Sequence, residues 1–347
     1  MRAVETGIDR VEAAYLDWLL TYDGPAFGLV RTRFGYLILD QNGLAAMRGA
    51  DPLAEARRRA IARVPRPLLP PALERKLPEG FAYFNVGHSH LTRWNMRALP
   101  AEAKSIVMIH DTIPLDHPKW QRDGQADVFA KRFKVATERA DWILTPSKYS
   151  ADQIRKHGHA ELPVVVAPLG TSPVQETAPA PGGDYFVAIG TLEPRKNFEF
   201  LIDVWEGMGA DAPPLHIFGS LGWSYGPLLA RFENSELKDK SIFLHLSEAD
   251  DVVQGWLKGA RGLLFPSYAE GFGLPPFEAA QYGVPVISSP LPSIKEHLGD
   301  WVIYAPTDNL YQWTQEIQNL AANRRPEQPA PPLPTWEAHF NTVLKLL

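Results

Sequence analysis

Short apolar runs recur along the chain and alternate with amphipathic stretches. In the amino half the pattern predicts a helix over 13–20 and a hairpin formed by 27–32 and 36–40, with its turn near Gly35. Apolar strands are expected at 81–86, 105–110, 142–145 and 164–167, with helices over 125–140 and from Ser147 onward. The carboxyl half is more regular. Strands at 185–189, 215–218, 242–246, 262–265 and 285–288 alternate with helical stretches. That alternation implies α/β architecture, with a parallel sheet covered on both faces. Ligands of such sheets bind at the carboxyl ends of the strands.

Two proline-rich segments punctuate the pattern, GTSPVQETAPAPGGD at 170–184 and the stretch 325–334. They divide the chain into a first domain at 1–170, a linker at 171–183, a second domain at 184–325, and a tail at 326–347. The tail holds a short amphipathic helix expected to cross back to the first domain.

Composition narrows the picture. A length of 347 residues accommodates two domains with separate cores. The balance of 35 Lys+Arg against 40 Asp+Glu gives no electrostatic case for a nucleic-acid partner. There is no cysteine, which excludes disulfides and thiolate metal sites. No apolar run approaches the ~20 residues of a membrane span. The start, MRAVETGIDRVEAAY, does not read as a signal peptide, so the expected location is cytoplasmic.

The richest chemistry lies in FPSYAEGFGLPPFEAAQYGVPVISS, residues 265–289. It reads as strand, glycine loop, helix and strand. Seven residues separate Glu270 from Glu278. Gly271 and Gly273 leave the loop backbone open to a ligand. Pro275 or Pro276 suits the first helical turn, where a missing N–H costs nothing. The amides and positive dipole end of that helix make an anion site. A carbohydrate carried on a diphosphate fits this combination.

A second segment, YFVAIGTLEPRKNFEFLIDVW at 185–205, places Arg195 and Lys196 after a strand end. Adjacent cations there suit a diphosphate, and arginine adds bidentate contacts. Asn197 is expected to cap the following helix.

Together, GTLEPRKNFEFLI and PSYAEGFGLPPFEAAQYGVPVI resemble retaining glycosyltransferases of family 4. These have the GT-B fold of two facing Rossmann-like domains, with the active site in the cleft between them. HIFGSLGWSY (216–225), HDTIPLDHP (110–118), TPSKYS (145–150) and TGIDRVE (6–12) are similar to further motifs of that family. The resemblance implies that Arg195 and Lys196 hold the donor diphosphate. It places Glu270 on the hydroxyls of the transferred sugar, as a positioning group. It puts the backbone of Gly271, Phe272, Gly273 and Leu274 on sugar and phosphate oxygens, and Glu278 on the ribose. Gly7 would let its loop approach the phosphates, and the base would sit near 218–220 and 246–248. His110 would lie beside the reacting carbon, with Asp111 orienting its ring.

The implied donor is a nucleotide-diphosphate sugar. No cofactor or metal is expected, because no Asp-x-Asp pair or histidine cluster is present to hold a metal. The implied acceptor is a glycan or a lipid-linked glycan, in surface polysaccharide or glycolipid assembly. EPRKN and GSLGW point toward a mannosyl-type donor.

Two features depart from the family. Only Met1 to Glu5 precede Thr6 and Gly7, where the family has a hydrophobic strand. Either the start lies upstream or the first domain lacks a central strand. Thr191 also stands where the family often has arginine.

Other residues carry weaker signals. His88 and His90 follow a strand and are read as structural, with an acceptor-side role as the sharper alternative. Trp223 is read as packing. The stretch 55–77 holds seven basic residues and two acidic ones. It is read as a solvated helix and loop. The alternative is a peripheral membrane contact, with Leu68 and Leu69 touching lipid. Rival functions are a catalytically silent GT-B scaffold and a nucleotide-sugar epimerase. A dinucleotide oxidoreductase is disfavoured, since no GxGxxG follows a strand with a later acidic residue.

Overall fold

The computed structural model describes residues 7–49, 51–171, 177–323, 329 and 331–347. Residues 1–6, part of the 171–183 linker and part of the 325–334 stretch lie outside the described residues. The chain forms two compact units, one of Met1–Ile109, Lys131–Leu144 and Leu346–Leu347, the other of His110–Ala130 and Thr145–Lys345. The sequence reading drew one boundary near the 171–183 linker. In the structure His110–Ala130 and Thr145–Gly170 pack with the second unit.

In the first unit, helix α1 (Gly7–Thr21) buries Val11 and Tyr15, which share a face at i, i+4 spacing. It starts well before the expected 13. Strands β1 (Gly28–Thr32) and β2 (Gly35–Leu39) form the expected hairpin. Gly35 has φ +145°, and a Cβ there would lie 2.1 Å from the Val64 carbonyl oxygen, so only glycine fits. Helices α2 (Gln41–Ala46) and α3 (Pro52–Arg59) follow, then β3 (Ala62–Val64), which pairs antiparallel with β2. Every residue of β2 is buried, because it has cover on both faces. Tyr36 and Ile38 meet Val64, Leu69 and Leu73, while Leu37 and Leu39 meet Ala56.

This corrects the reading of 55–77 as a solvated helix and loop. The stretch contains β3 and helix α4 (Leu69–Lys76), and the inner face of α4 is core. Leu69 is 1% exposed and cannot touch lipid, whereas Leu68 is 55% exposed.

Strand β4 (Ala82–Asn85), helix α5 (Arg93–Arg97) and strand β5 (Lys104–Met108) come next. Helix α6 (Ile113–Asp116) and helix α7 (Gln125–Arg139) precede β6 (Trp142–Thr145). Strands β4, β5 and β6 lie side by side in parallel register. The rings of Tyr15 and Trp18 from α1 pack on Phe84 of β4 at 5.9 and 5.8 Å. A cavity of about 520 Å³ lies among α1, β2 and β4.

In the second unit, α8 (Lys148–His157) begins at Ser147, whose hydroxyl accepts from the Ser150 amide, and β7 (Val164–Val166) follows. The main sheet alternates strands and helices in chain order. They are β8 (Phe186–Ile189), α9 (Phe198–Met208), β9 (Leu215–Gly219), α10 (Gly226–Glu233) and β10 (Ile242–Leu246). Then come α11 (Asp250–Gly259), β11 (Gly262–Phe265), α12 (Leu274–Gln281), β12 (Val286–Ser288), α13 (Pro292–Leu298) and β13 (Ile303–Tyr304). Helices α14 (Leu310–Ala322) and α15 (Trp336–Leu344) complete the unit.

All six strands run parallel in the order β10-β9-β8-β11-β12-β13. The order reverses between β8 and β11, as in the doubly wound dinucleotide fold. Phe186, Trp205 and Trp313 sit fully buried in a cluster with strands β8 and β9 and helices α9 and α14. Within the unit, the Trp336 backbone of α15 would sit 2.2 Å from a Cβ at Gly170, and His339 bonds the Ala167 carbonyl.

Candidate active site

Strands β8 and β11 are neighbours at the point where the strand order reverses. Their carboxyl-terminal loops therefore emerge side by side. The first loop carries Arg195 and Lys196 in a single 3-10 turn, Pro194–Lys196. The second carries Glu270. Residues 74 apart in sequence meet there: Lys196 Nζ donates to Glu270 Oε1 at 2.6 Å, and Arg195 Nη1 lies 2.8 Å from Glu270 Oε2. Arg195 also donates to the Ala269 carbonyl at 2.8 Å and to Glu193 Oε1 at 2.6 Å. The Tyr268 amide donates back to the Arg195 carbonyl at 2.9 Å, locking the two loops together.

The cluster is buried, with Glu270 8% exposed. Burial alone would raise the Glu270 carboxyl, but Arg195 and Lys196 overcome it and hold the pKa at about 2. Burial works against the Arg195 guanidinium too, yet Glu270, Glu193 and Asp111 raise its pKa. At Lys196 burial prevails over Glu270, and its pKa is lowered.

The glycine loop follows at once. A Cβ on Gly271 would fall 2.3 Å from the His110 carbonyl oxygen and 2.8 Å from Asp111 Cβ. Glycine is required here for close approach. Ser147 and Ser150 both donate to the Gly271 carbonyl, at 2.9 and 3.2 Å, and Ser293 donates to the Glu270 carbonyl at 3.0 Å. Phe272 stacks on Phe277 at 4.2 Å and anchors the loop. Gly273 adopts φ +87° at the N-cap of α12, and no side chain caps that helix among the described residues. Leu274 opens the helix, with Pro275 in its first turn. Pro275 and Pro276 have no N–H, so the uncapped start of α12 offers a ligand the Leu274 amide and the positive end of the helix dipole.

Asp111 lies in the same neighbourhood. Burial raises its pKa while Arg195 lowers it, and its carboxylate accepts from the Ile113 amide at 3.0 Å. His110 is joined to the loop through its carbonyl. Glu278 is buried one turn into α12, and its carboxylate accepts from Gln254 of α11 at 3.0 Å. Gly7 opens α1 in the other unit.

The structure brings Arg195, Lys196, Glu270, the 271–274 loop, His110 and Asp111 together. It differs from expectation at Asn197. That residue holds the N-cap position of α9 in left-handed conformation, φ 55°, and its side chain does not cap. Its amide donates instead to the Pro266 carbonyl at 3.3 Å, tying the two loops once more. His90 is engaged by Arg31 at 2.6 Å within the first unit, and His88 bonds the Met108 carbonyl. Trp223 is half-buried. Sequence reasoning missed the roles of Glu193, Ser147, Ser150 and Ser293. Ser147 was visible only as part of TPSKYS, and a serine at a helix start signals a cap before it signals a strut.

Residues 174–330 match the family described as Glycosyl transferases group 1. That segment, just under half of the chain, is similar to group 1 glycosyltransferases, and the chain has the GT-B fold. It is 25% identical over 281 residues to the serotype-specific mannosyltransferase WbdA of Escherichia coli, an alignment covering 73% of this chain and 34% of WbdA. The chain thus spans about a third of that relative's length. Among solved structures it resembles S. aureus TarM, crystallised as a point mutant in complex with fondaparinux, alpha-GlcNAc-glycerol and UDP. There the TM-score is 0.61 at 15% identity, over 80% of this chain and 58% of TarM. It also resembles trehalose-6-phosphate synthase, studied with bisubstrate glycomimetics as an enzyme of glycosyltransfer with retention. That match has TM-score 0.61 at 10% identity and covers 99% of this chain and 94% of the synthase. Identities this low carry the fold alone.

Among the described residues no helix is long and apolar enough to cross a membrane.

Proposed function

We propose that the protein transfers a sugar, mannose by preference, from a nucleotide diphosphate to a glycan or lipid-linked acceptor during surface polysaccharide assembly. The observation that carries this reading is the buried cluster of Arg195, Lys196 and Glu270 at the reversal point of the sheet, beside the uncapped start of α12. Breaking a glycosyl–phosphate bond puts negative charge on the leaving diphosphate. Two cations, with the Leu274 amide and the helix dipole, stabilise that charge, with no metal called for. Glu270 neutralises the cations until a diphosphate arrives and lies where it can then turn to sugar hydroxyls. A diphosphate beside Lys196 also restores the pKa that burial lowers. Retention follows from attack on the leaving-group face, with the departing phosphate taking the acceptor proton. The preference for mannose is supported by the likeness to WbdA.

A thermal-shift screen with GDP, UDP and their sugar conjugates tests the donor half. A ligand at 100 times its dissociation constant stabilises by about 2.7 kcal/mol. A rise in melting temperature with at least one nucleoside diphosphate, lost in Lys196→Ala, supports the reading; no rise with any of them counts against it.

A further inference from the structure

A second cleft, of about 190 Å³, lies within the second unit beside the donor cluster. Its walls include Trp120, Tyr225, Tyr268, Glu193, Glu199 and Ser224. They come from four separate places: the short turn after α6, the loop after β8 running into α9, the loop after β9, and the loop after β11.

Three aromatic rings converge there. Trp120 and Tyr268 stack at 5.2 Å with an interplanar angle of 10°. His117 packs on the Trp120 ring at 4.2 Å, and Lys119 Nζ lies 5.4 Å from its centroid. Tyr268 is 47% exposed and Tyr225 37% exposed. Large rings left open at the mouth of a small cleft do not serve the core. Ser224, beside Tyr225, has φ 51°, a conformation uncommon for a non-glycine residue.

The polar lining is acidic. Glu193 and Glu199 provide hydrogen-bond acceptors and disfavour an anionic occupant. The Tyr268 hydroxyl is protonated at neutral pH and can donate. Flat apolar walls with a few acceptors and a hydroxyl suit one kind of ligand best. It presents C–H groups on a face and hydroxyls on its edge, as a neutral sugar ring does.

The cleft adjoins the ionic cluster. Glu193 lines it and is also the 2.6 Å partner of Arg195, which pairs with Glu270. We propose that this cleft is a subsite for a neutral sugar ring of the acceptor, held against Tyr225 and Tyr268. The assignment rests on the transferase reading above, since it gives the acceptor a place one residue away from the donor cluster.

Saturation-transfer NMR on the full chain tests it without requiring turnover. The probes are mannobiose, lactose and chitobiose, with mannose 6-phosphate as the anionic comparison. Transfer to at least one neutral disaccharide is expected. It should weaken about tenfold in both Tyr225→Ala and Tyr268→Ala, the size of a lost aromatic contact. Melting temperature and the response to nucleoside diphosphate report separately on fold and donor site. Absence of binding to wild-type protein, equal binding to both folded variants, or tighter binding of mannose 6-phosphate would overturn the proposal. If neutral disaccharides bind as expected and no nucleoside diphosphate does, the donor reading fails while the subsite stands.

Discussion

Lys196 Nζ and Glu270 Oε1 lie 2.6 Å apart in a buried pocket, although they stand 74 positions apart in the chain. The pair exists because β8 and β11 are adjacent, and it makes one residue of each motif depend on the other.

Removing one partner leaves an uncompensated buried charge. Lys196→Met is expected to cost about 3 kcal/mol in urea unfolding, the usual penalty for breaking a buried ion pair. The double variant Lys196→Met/Glu270→Gln should recover part of that loss. Additive losses would show that the pair is not coupled.

The depressed Glu270 pKa makes a signed prediction. A carboxyl held below its unfolded value contributes stability that is complete above the unfolded pKa and lost as pH falls through the folded one. The window runs from 4.5 down to about 2, and the contribution is about 3 kcal/mol. Melting curves across this window should fall more steeply for wild-type protein than for Glu270→Gln. Parallel curves would contradict the electrostatic account of the site.

Gly271 is fixed by space. Gly271→Ala places its Cβ 2.3 Å from the His110 carbonyl oxygen. The backbone at 110–111 must then yield, at a cost of about 2 kcal/mol. Donor turnover should fall along with stability, because the same loop leads into Gly273 and α12. A variant with unchanged melting temperature would show that the approach is looser than described.

His216 and His245 form a hydrogen-bonded pair at 2.9 Å among Phe218, Phe243 and Trp256. Burial, then His245, lowers the His216 pKa from 6.5 to about 4. A histidine with a depressed folded pKa loses its stabilising contribution as pH falls from 6.5 to about 4. His216→Phe should flatten stability over that range. An unchanged pH profile would place the acid sensitivity elsewhere.

Much of this was readable in the sequence, for identifiable reasons. Strands β8, β9, β11 and β12 of the second unit are buried on both faces, so they appear as continuous apolar runs bounded by glycine and proline. Glu270, Gly271 and Gly273 stood out because a loop that must bind a ligand departs from helix and strand patterns at fixed offsets. What failed were features decided by tertiary contact. β3 is only Ala62–Val64, too short to carry a period, and its pairing with β2 makes it a strand. Leu69 sits in a basic stretch and is nonetheless core, because α4 turns it toward Ile38 and Tyr36. Asn197 is a good capping residue by type, but the nearby Pro266 carbonyl takes its side chain. Glu193 could not be paired with Arg195 without knowing how the turn at Pro194 folds back. Trp120 and Tyr268 are far apart in sequence, and nothing local signals that they stack.

The central claim is that Glu270 and Lys196 form the donor half of a glycosyl-transfer site. The most direct measurement is release of nucleoside diphosphate from a panel of nucleotide-diphosphate sugars that includes GDP-mannose, using the full chain. Neutral disaccharides serve as acceptors, and Glu270→Ala and Lys196→Ala are assayed beside the wild type. Turnover of at least one donor, falling about a hundredfold or more in each variant, is the predicted result. Turnover by Glu270→Ala at the wild-type rate, or no turnover of any donor by wild-type protein, would contradict it.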